Sequence, residues 1–238
     1  MEHSQQAQVQ AQTPLDRQTD ILEAAAALAQ RELEHEGSGH DWWHIRRVTE
    51  LAKRIGAAEG ADLFICELAA LLHDLADEKL VADPESGIRR TANWMLEHGV
   101  AEADTDRIME IIATMSFKGG SGRPMSTLEG RVVQDADRLD AIGAIGIART
   151  FVYSGKKGRP MHDPNLPVRQ NMTPEEYRSG NDTAINHFYE KLLLLKDRLN
   201  TPCGRRIADS RHAYMEEFLE RFDREWNGAD LLDGEEPL

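Results

Sequence analysis

Cysteine is nearly absent: Cys66 and Cys203 are the only two in 238 residues. They cannot build a disulfide framework, and they do not form a zinc-type pair. Cys66 lies in the apolar run Leu63, Phe64, Ile65, Leu68 and reads as a small buried hydrophobe. With no secretory signal recognisable, the expected compartment is a reducing cytoplasm. Long apolar runs are also missing. The stretch Leu192 to Leu195 falls far short of the ~20 residues that cross a bilayer. Positive charge is the minority, with 28 Lys and Arg against 42 Asp and Glu and a net charge of -14. Such a surface excludes general binding to a nucleic-acid polymer and disfavours anionic membranes. No stretch shows the sustained alternation of a strand, so the fold class expected is all-α.

What is present is helical period. Residues 16–36 carry Ile21, Leu22, Ala25, Leu28, Ala29 and Leu33, starting near Asp16. A second helix follows Gly37-Ser38-Gly39, with Asp41 as N-cap, the stripe Ile45, Val48, Leu51, Ala52, Ile55, and Gly56 as its end. Residues 61–75 are apolar nearly all round, the mark of a central buried helix. Further helices are expected over 86–98, 102–115, 128–153, 181–199 and 203–226, the last after Pro202 with Thr201 as cap. Gly155, Gly158, Pro160, Pro164, Pro167 and Pro174 make 154–180 a long loop, of the kind that carries function. The Gln-rich residues 1–15 read as a disordered leader, 16–226 as one domain and 227–238 as a flexible acidic tail.

Charged groups are almost never fully buried unless paired or coordinated. That rule singles out His44, the doublet His73-Asp74, and Asp137. His44 shares a face with Val48, Leu51 and Ile55 and points inward. His73-Asp74 ends the most apolar helix, where the helix dipole disfavours an aspartate that has no cation. Asp135, Asp137 and Asp140 stand among Val133, Ala136, Leu139 and Ala141, with Arg138 available to neutralise one. Two imidazoles and two carboxylates suit Mn²⁺, Fe²⁺, Co²⁺ or Zn²⁺ better than Ca²⁺, with Mg²⁺ also possible.

His44, Leu71-Leu72-His73-Asp74 and Ala136-Asp137-Arg138-Leu139 resemble the H…HD…D signature of the HD-domain metal-dependent phosphohydrolases. Gly39-His40-Asp41-Trp42-Trp43-His44-Ile45-Arg46-Arg47-Val48, Asp135 through Gly143, and His187-Phe188-Tyr189-Glu190-Lys191-Leu192 are similar to its YedJ/YpgQ-like branch. The likeness spans roughly residues 20–222. It implies an HD helical bundle with additional C-terminal helices and four ligands, His44, His73, Asp74 and Asp137. It also implies hydrolysis of phosphate esters or anhydrides. For this branch the implied reaction is manganese-supported nucleoside triphosphate pyrophosphohydrolysis. Alternatives are a nucleotidase or phosphodiesterase of the same fold, and a non-catalytic ligand-sensing domain.

A polyanionic substrate needs local cations in so acidic a chain. Arg46 and Arg47 follow His44, Lys79 follows the doublet, Lys118 lies in a Gly-rich loop, Lys191 shares a helix with His187, and Lys156, Lys157 and Arg159 lie in the long loop. The substrate-binding set expected is His40, Arg47, Lys79, Lys118, His187 and Lys191. For Arg47 the competing expectation is a structural pair with Glu50 or Asp41. His40-Asp41 mimics the doublet, but Asp41 has a capping role. His40 is therefore expected to touch phosphate or to orient a ligand. Asp77 stands three residues after Asp74 and is the expected proton acceptor beside a metal-bound water, with Asp74 assisting.

Overall fold

The computed structural model describes residues 13–37, 39–76, 84–115, 124–169 and 182–229. Asp77, Lys79, Lys118, the leader through residue 12 and the tail from residue 230 lie outside the described residues. Among the described residues there are helices and no strands, as the missing alternation requires.

Helix α1 runs Pro14–Leu33 and starts earlier than expected. Thr13 caps it, and Asp16 is the reciprocal partner in a capping box rather than the first residue. Helix α2, Trp42–Glu59, is capped by Asp41 as expected. It does not end at Gly56 but closes on Gly60, whose φ of 75° is the left-handed conformation that favours glycine. Gly56 serves packing instead: a Cβ there would lie 3.1 Å from Leu63 Cδ2. Helix α3, Leu63–Leu72, buries Ile65, Cys66 and Leu68 through Leu72, and passes into a 3₁₀ turn, His73–Ala76. Helices α4, Pro84–Glu97, and α5, Glu102–Thr114, follow close to expectation.

The long helix expected over 128–153 is two helices: α6, Leu128–Asp140, and α7, Gly143–Lys156. The chain turns at Ala141–Ile142. Gly143 has φ 74°, and a Cβ on Gly146 would lie 2.2 Å from the Ala141 carbonyl oxygen. Glycine is therefore required at both positions to fold α7 back from α6. The helix expected over 181–199 is wound unevenly. Its α-helical turn α8, Ala184–His187, gives way to a π turn, Phe188–Leu192, and a 3₁₀ run, Leu193–Arg198. The last helix, α9, is Pro202–Trp226 and is capped by Thr201 as expected.

Helix α3 is the centre, packed against α1, α2, α5 and α6. Helix α2 lies against both α3 and α6. This sandwich brings the inner face of α2, the end of α3 and the end of α6 together in a buried interior. Helix α9 covers α6 and α7 and reaches α2. No described helix is long and apolar enough to cross a membrane.

Candidate metal centre

His44 sits on the first turn of α2 and is fully buried. His73 and Asp74 lie where α3 tightens into its 3₁₀ turn, 8% and 3% exposed. Asp137 comes from the last turns of α6, and its side chain remains 33% exposed. The four converge. His44 Nε2 is 3.5 Å from Asp74 Oδ2 and 3.5 Å from Asp137 Oδ1. His73 Nε2 is 3.3 Å from Asp74 Oδ1 and 4.0 Å from Asp137 Oδ1.

The opposite ring nitrogens have acceptors. His73 Nδ1 lies 2.8 Å from the Ala70 carbonyl oxygen, which can only accept, so Nδ1 carries a hydrogen there. His44 Nδ1 lies 2.7 Å from Asp140 Oδ2. His44 Nε2 is buried and makes no hydrogen bond. Burial, which favours the neutral ring, lowers the His44 pKa below its ordinary value against the opposing pull of Asp140. A buried lone pair facing carboxylate oxygens is unfavourable unless a cation lies between them. Ligand atoms 3.3 to 4.0 Å apart are also those that could share one centre at bond lengths of about 2.1 Å. The donors present therefore fit a divalent ion. His44, His73 and Asp137 offer one group of atoms able to hold it, and His40, His44 and Asp74 an overlapping one.

The carboxylates are set for that charge. Burial pushes Asp74 up, but His73, His40 and His44 outweigh it and hold the carboxyl well below its usual range. Asp137 is likewise lowered, with burial opposed by His73 and His44. His40 Nδ1 lies 3.0 Å from Asp74 Oδ2, a placement that can orient this carboxylate.

The remaining expected residues have their own surroundings. The Arg47 guanidinium, expected at the substrate, is turned onto Asp140 at 2.7 and 3.0 Å, and its competing partners Glu50 and Asp41 do not hold it. His187 is half-buried, near Lys191, Arg159 and Arg169. Arg159 and Arg169 are themselves ion-paired to Asp182 and Glu190. Trp42 packs on the core, while Trp43 is 60% exposed. The three aspartates of α6 have separate tasks: Asp137 faces the cluster, Asp140 backs His44, and Asp135 clamps the start of α9. Sequence reasoning missed Asp140 and Arg149. Asp140 stands one turn past Asp137 on the same helix, and that spacing was the available signal. Arg149 carried none, because it meets Asp140 only through the turn between α6 and α7.

Residues 42–142 match the model of the HD domain. The uncharacterized protein YpgQ of Bacillus subtilis is 40% identical over 200 residues, covering 83% of this chain and 90% of that protein. The chain belongs to the HD-domain family. Within it, this protein falls in the YpgQ-like group and is an HD-type, metal-dependent phosphohydrolase. Solved relatives agree. A Lactobacillus plantarum protein superposes with a TM-score of 0.80 at 43% identity, covering 88% of this chain and 98% of that one. The Bacillus subtilis YpgQ structure in complex with ADP gives 0.73 at 37% identity, covering 88% and 96%. An HD-superfamily hydrolase from Bacillus thuringiensis gives 0.70 at 45% identity, covering 88% and 98%.

Proposed function

We propose that this HD-domain protein is a nucleoside or deoxynucleoside triphosphate pyrophosphohydrolase that releases pyrophosphate. On this reading His44, His73, Asp74 and Asp137 ligate a divalent ion, Mn²⁺ in preference to Mg²⁺, Co²⁺, Fe²⁺ or Zn²⁺. The observation that carries it is the convergence of buried imidazole Nε2 atoms on two carboxylates, with Asp137 open to solvent. A bound ion there supplies a water of lowered pKa and polarises a phosphate oxygen. A nucleotide substrate is supported by the ADP bound to the YpgQ relative.

The chain's own residues would do the rest. His73 and His44 present Nε2 from rings fixed at Nδ1. Asp74 is held by His40. Asp137 lies at the exposed side, where substrate can approach. Asp77 would accept the proton of the attacking water. Lys79 and Lys118 would meet the phosphates, with His187 and Lys191 added from the C-terminal part. Two free cysteines fit a reducing compartment, and the cytoplasm is the proposed place of action.

The test is product analysis with Mn²⁺ across NTPs, dNTPs, monophosphates and cyclic nucleotides. Pyrophosphate and a nucleoside monophosphate in equal amounts support cleavage between the α- and β-phosphates. Orthophosphate without pyrophosphate would make the protein a nucleotidase or terminal phosphatase. Hydrolysis of cyclic nucleotides alone would make it a phosphodiesterase. The absence of both turnover and metal binding would favour a ligand sensor.

A further inference from the structure

Asp140 stands outside the His/Asp quartet, yet it is among the most enclosed carboxylates in the protein, 1% exposed. Its oxygens collect donors from two other helices. Arg47 of α2 donates through Nε to Oδ1 at 2.7 Å and through Nη2 to Oδ2 at 3.0 Å. Arg149 of α7 donates through Nη1 to Oδ2 at 2.7 Å and to the Asp140 carbonyl oxygen at 3.3 Å. Guanidinium groups have donors and no acceptors. A carboxylate held between two of them is left with acceptor capacity only. Its contact with His44 Nδ1, at 2.7 Å, must then be donated by the imidazole.

A neutral imidazole has one N–H. If Nδ1 carries it, Nε2 is a lone pair. That lone pair is the atom 3.5 Å from both Asp74 and Asp137. In the other tautomer a hydrogen would occupy the space between them and close it to a metal. Among the described residues, Asp140 is the hydrogen-bond partner of His44 Nδ1, on a ring that is fully buried.

Arg149 is fixed in turn. Its side chain crosses Gly39, where a Cβ would lie 3.4 Å from Arg149 Nε, and Gly39 has φ 89°. The same arginine therefore joins the segment carrying His40 and the end of α6 to the middle of α7. Arg47 leaves on the helix of His44 itself, one turn further on.

We infer that Asp140, clamped by Arg47 and Arg149, is a positioning residue that selects the Nδ1–H tautomer of His44 and so creates the metal-binding face of the ring. This rests on the reading of the quartet as a metal site. It also reassigns Arg47 from substrate phosphate to the support of His44.

Metal-free protein permits the direct test. Long-range ¹⁵N–¹H NMR of the imidazoles should show His44 as the Nδ1–H tautomer in the wild type. In Asp140→Ala the ring should shift to the Nε2–H form or a mixture, and Mn²⁺ affinity by calorimetry should fall roughly 10- to 100-fold. Asp140→Asn can keep an oxygen at the Oδ2 position, where it still accepts from His44, Arg149 and Arg47 Nη2. It should recover the wild-type tautomer and most of the affinity. A wild-type His44 in the Nε2–H form would overturn the inference even if no variant folds. So would an Asp140→Ala protein of unchanged tautomer and affinity, however far its melting temperature drops. Unchanged Mn²⁺ binding in His44→Ala would instead sink the metal reading beneath it and leave the tautomer result standing.

Discussion

Asp135 Oδ2 accepts hydrogen bonds from both the backbone N–H of Thr201, at 2.7 Å, and the Thr201 hydroxyl, at 2.8 Å. Its other oxygen accepts from the Asn200 N–H and side-chain amide, each at 2.8 Å. Thr201 is the N-cap of α9, so a single buried carboxylate fastens the helix of Asp137 to the start of the C-terminal one.

Asp135→Ala should therefore be severely destabilising. It removes four charge-assisted hydrogen bonds and leaves buried donors unsatisfied, a loss of roughly 3–5 kcal/mol. Urea unfolding of the metal-free protein measures it. Gly204→Ala should fail through the same contact, because a Cβ would lie 2.5 Å from Asp135 Oδ2; its cost is about 1–3 kcal/mol. Near-wild-type midpoints for both variants would show that the clamp is not a major source of stability.

Acid should weaken the fold through His187. Burial first, then Lys191, Arg159 and Arg169, push its pKa down from 6.5 to about 3. Above pH 6.5 the ring is neutral in both states and contributes no pH dependence. As pH falls below that value the unfolded chain takes up a proton that the folded chain refuses. Stability is lost progressively down to the folded value, by about 1.4 kcal/mol per pH unit. At pH 5 the deficit is about 2 kcal/mol. His187→Gln should flatten this part of a stability profile measured by urea unfolding. Parallel profiles for the two proteins would rule the contribution out.

The two cysteines should differ in reactivity. Burial first, with help from Glu129, Asp62 and Glu67, pushes the Cys66 thiol up to about 12. Its thiolate is negligible at pH 8, while Cys203 is only partly covered. A thiol reagent should label Cys203 in the native protein and Cys66 only after denaturation. Rapid native labelling of Cys66, read by mass spectrometry, would contradict its place in the core.

The helical fold and the quartet were legible because burial and charge conflict locally in sequence. His44 among Val48, Leu51 and Ile55, and His73-Asp74 at the end of an apolar helix, signal that a partner is needed. Contacts made only by tertiary folding left no such trace. Arg47 reads from sequence as a phosphate cation or a partner of Glu50 or Asp41, and its pair with Asp140 is made only by the packing of α2 on α6. The apolar stripe running through Ala136, Leu139 and Ile142 continues across the α6–α7 turn, so periodicity alone joins two helices that Gly143 separates. Phe188, Leu192, Leu195 and Leu199 keep helical spacing in the core, which hides the π and 3₁₀ winding of the backbone between them.

The most direct test of the central claim is a calorimetric Mn²⁺ titration of metal-free wild type beside Asp137→Ala. Asp137 is the most exposed member of the quartet, so removing its carboxylate disturbs the core least. Saturable binding is expected in the wild type, with its loss, or a fall of roughly 100-fold or more in affinity, in a variant that remains folded. Equal affinity in the two proteins would contradict the claim.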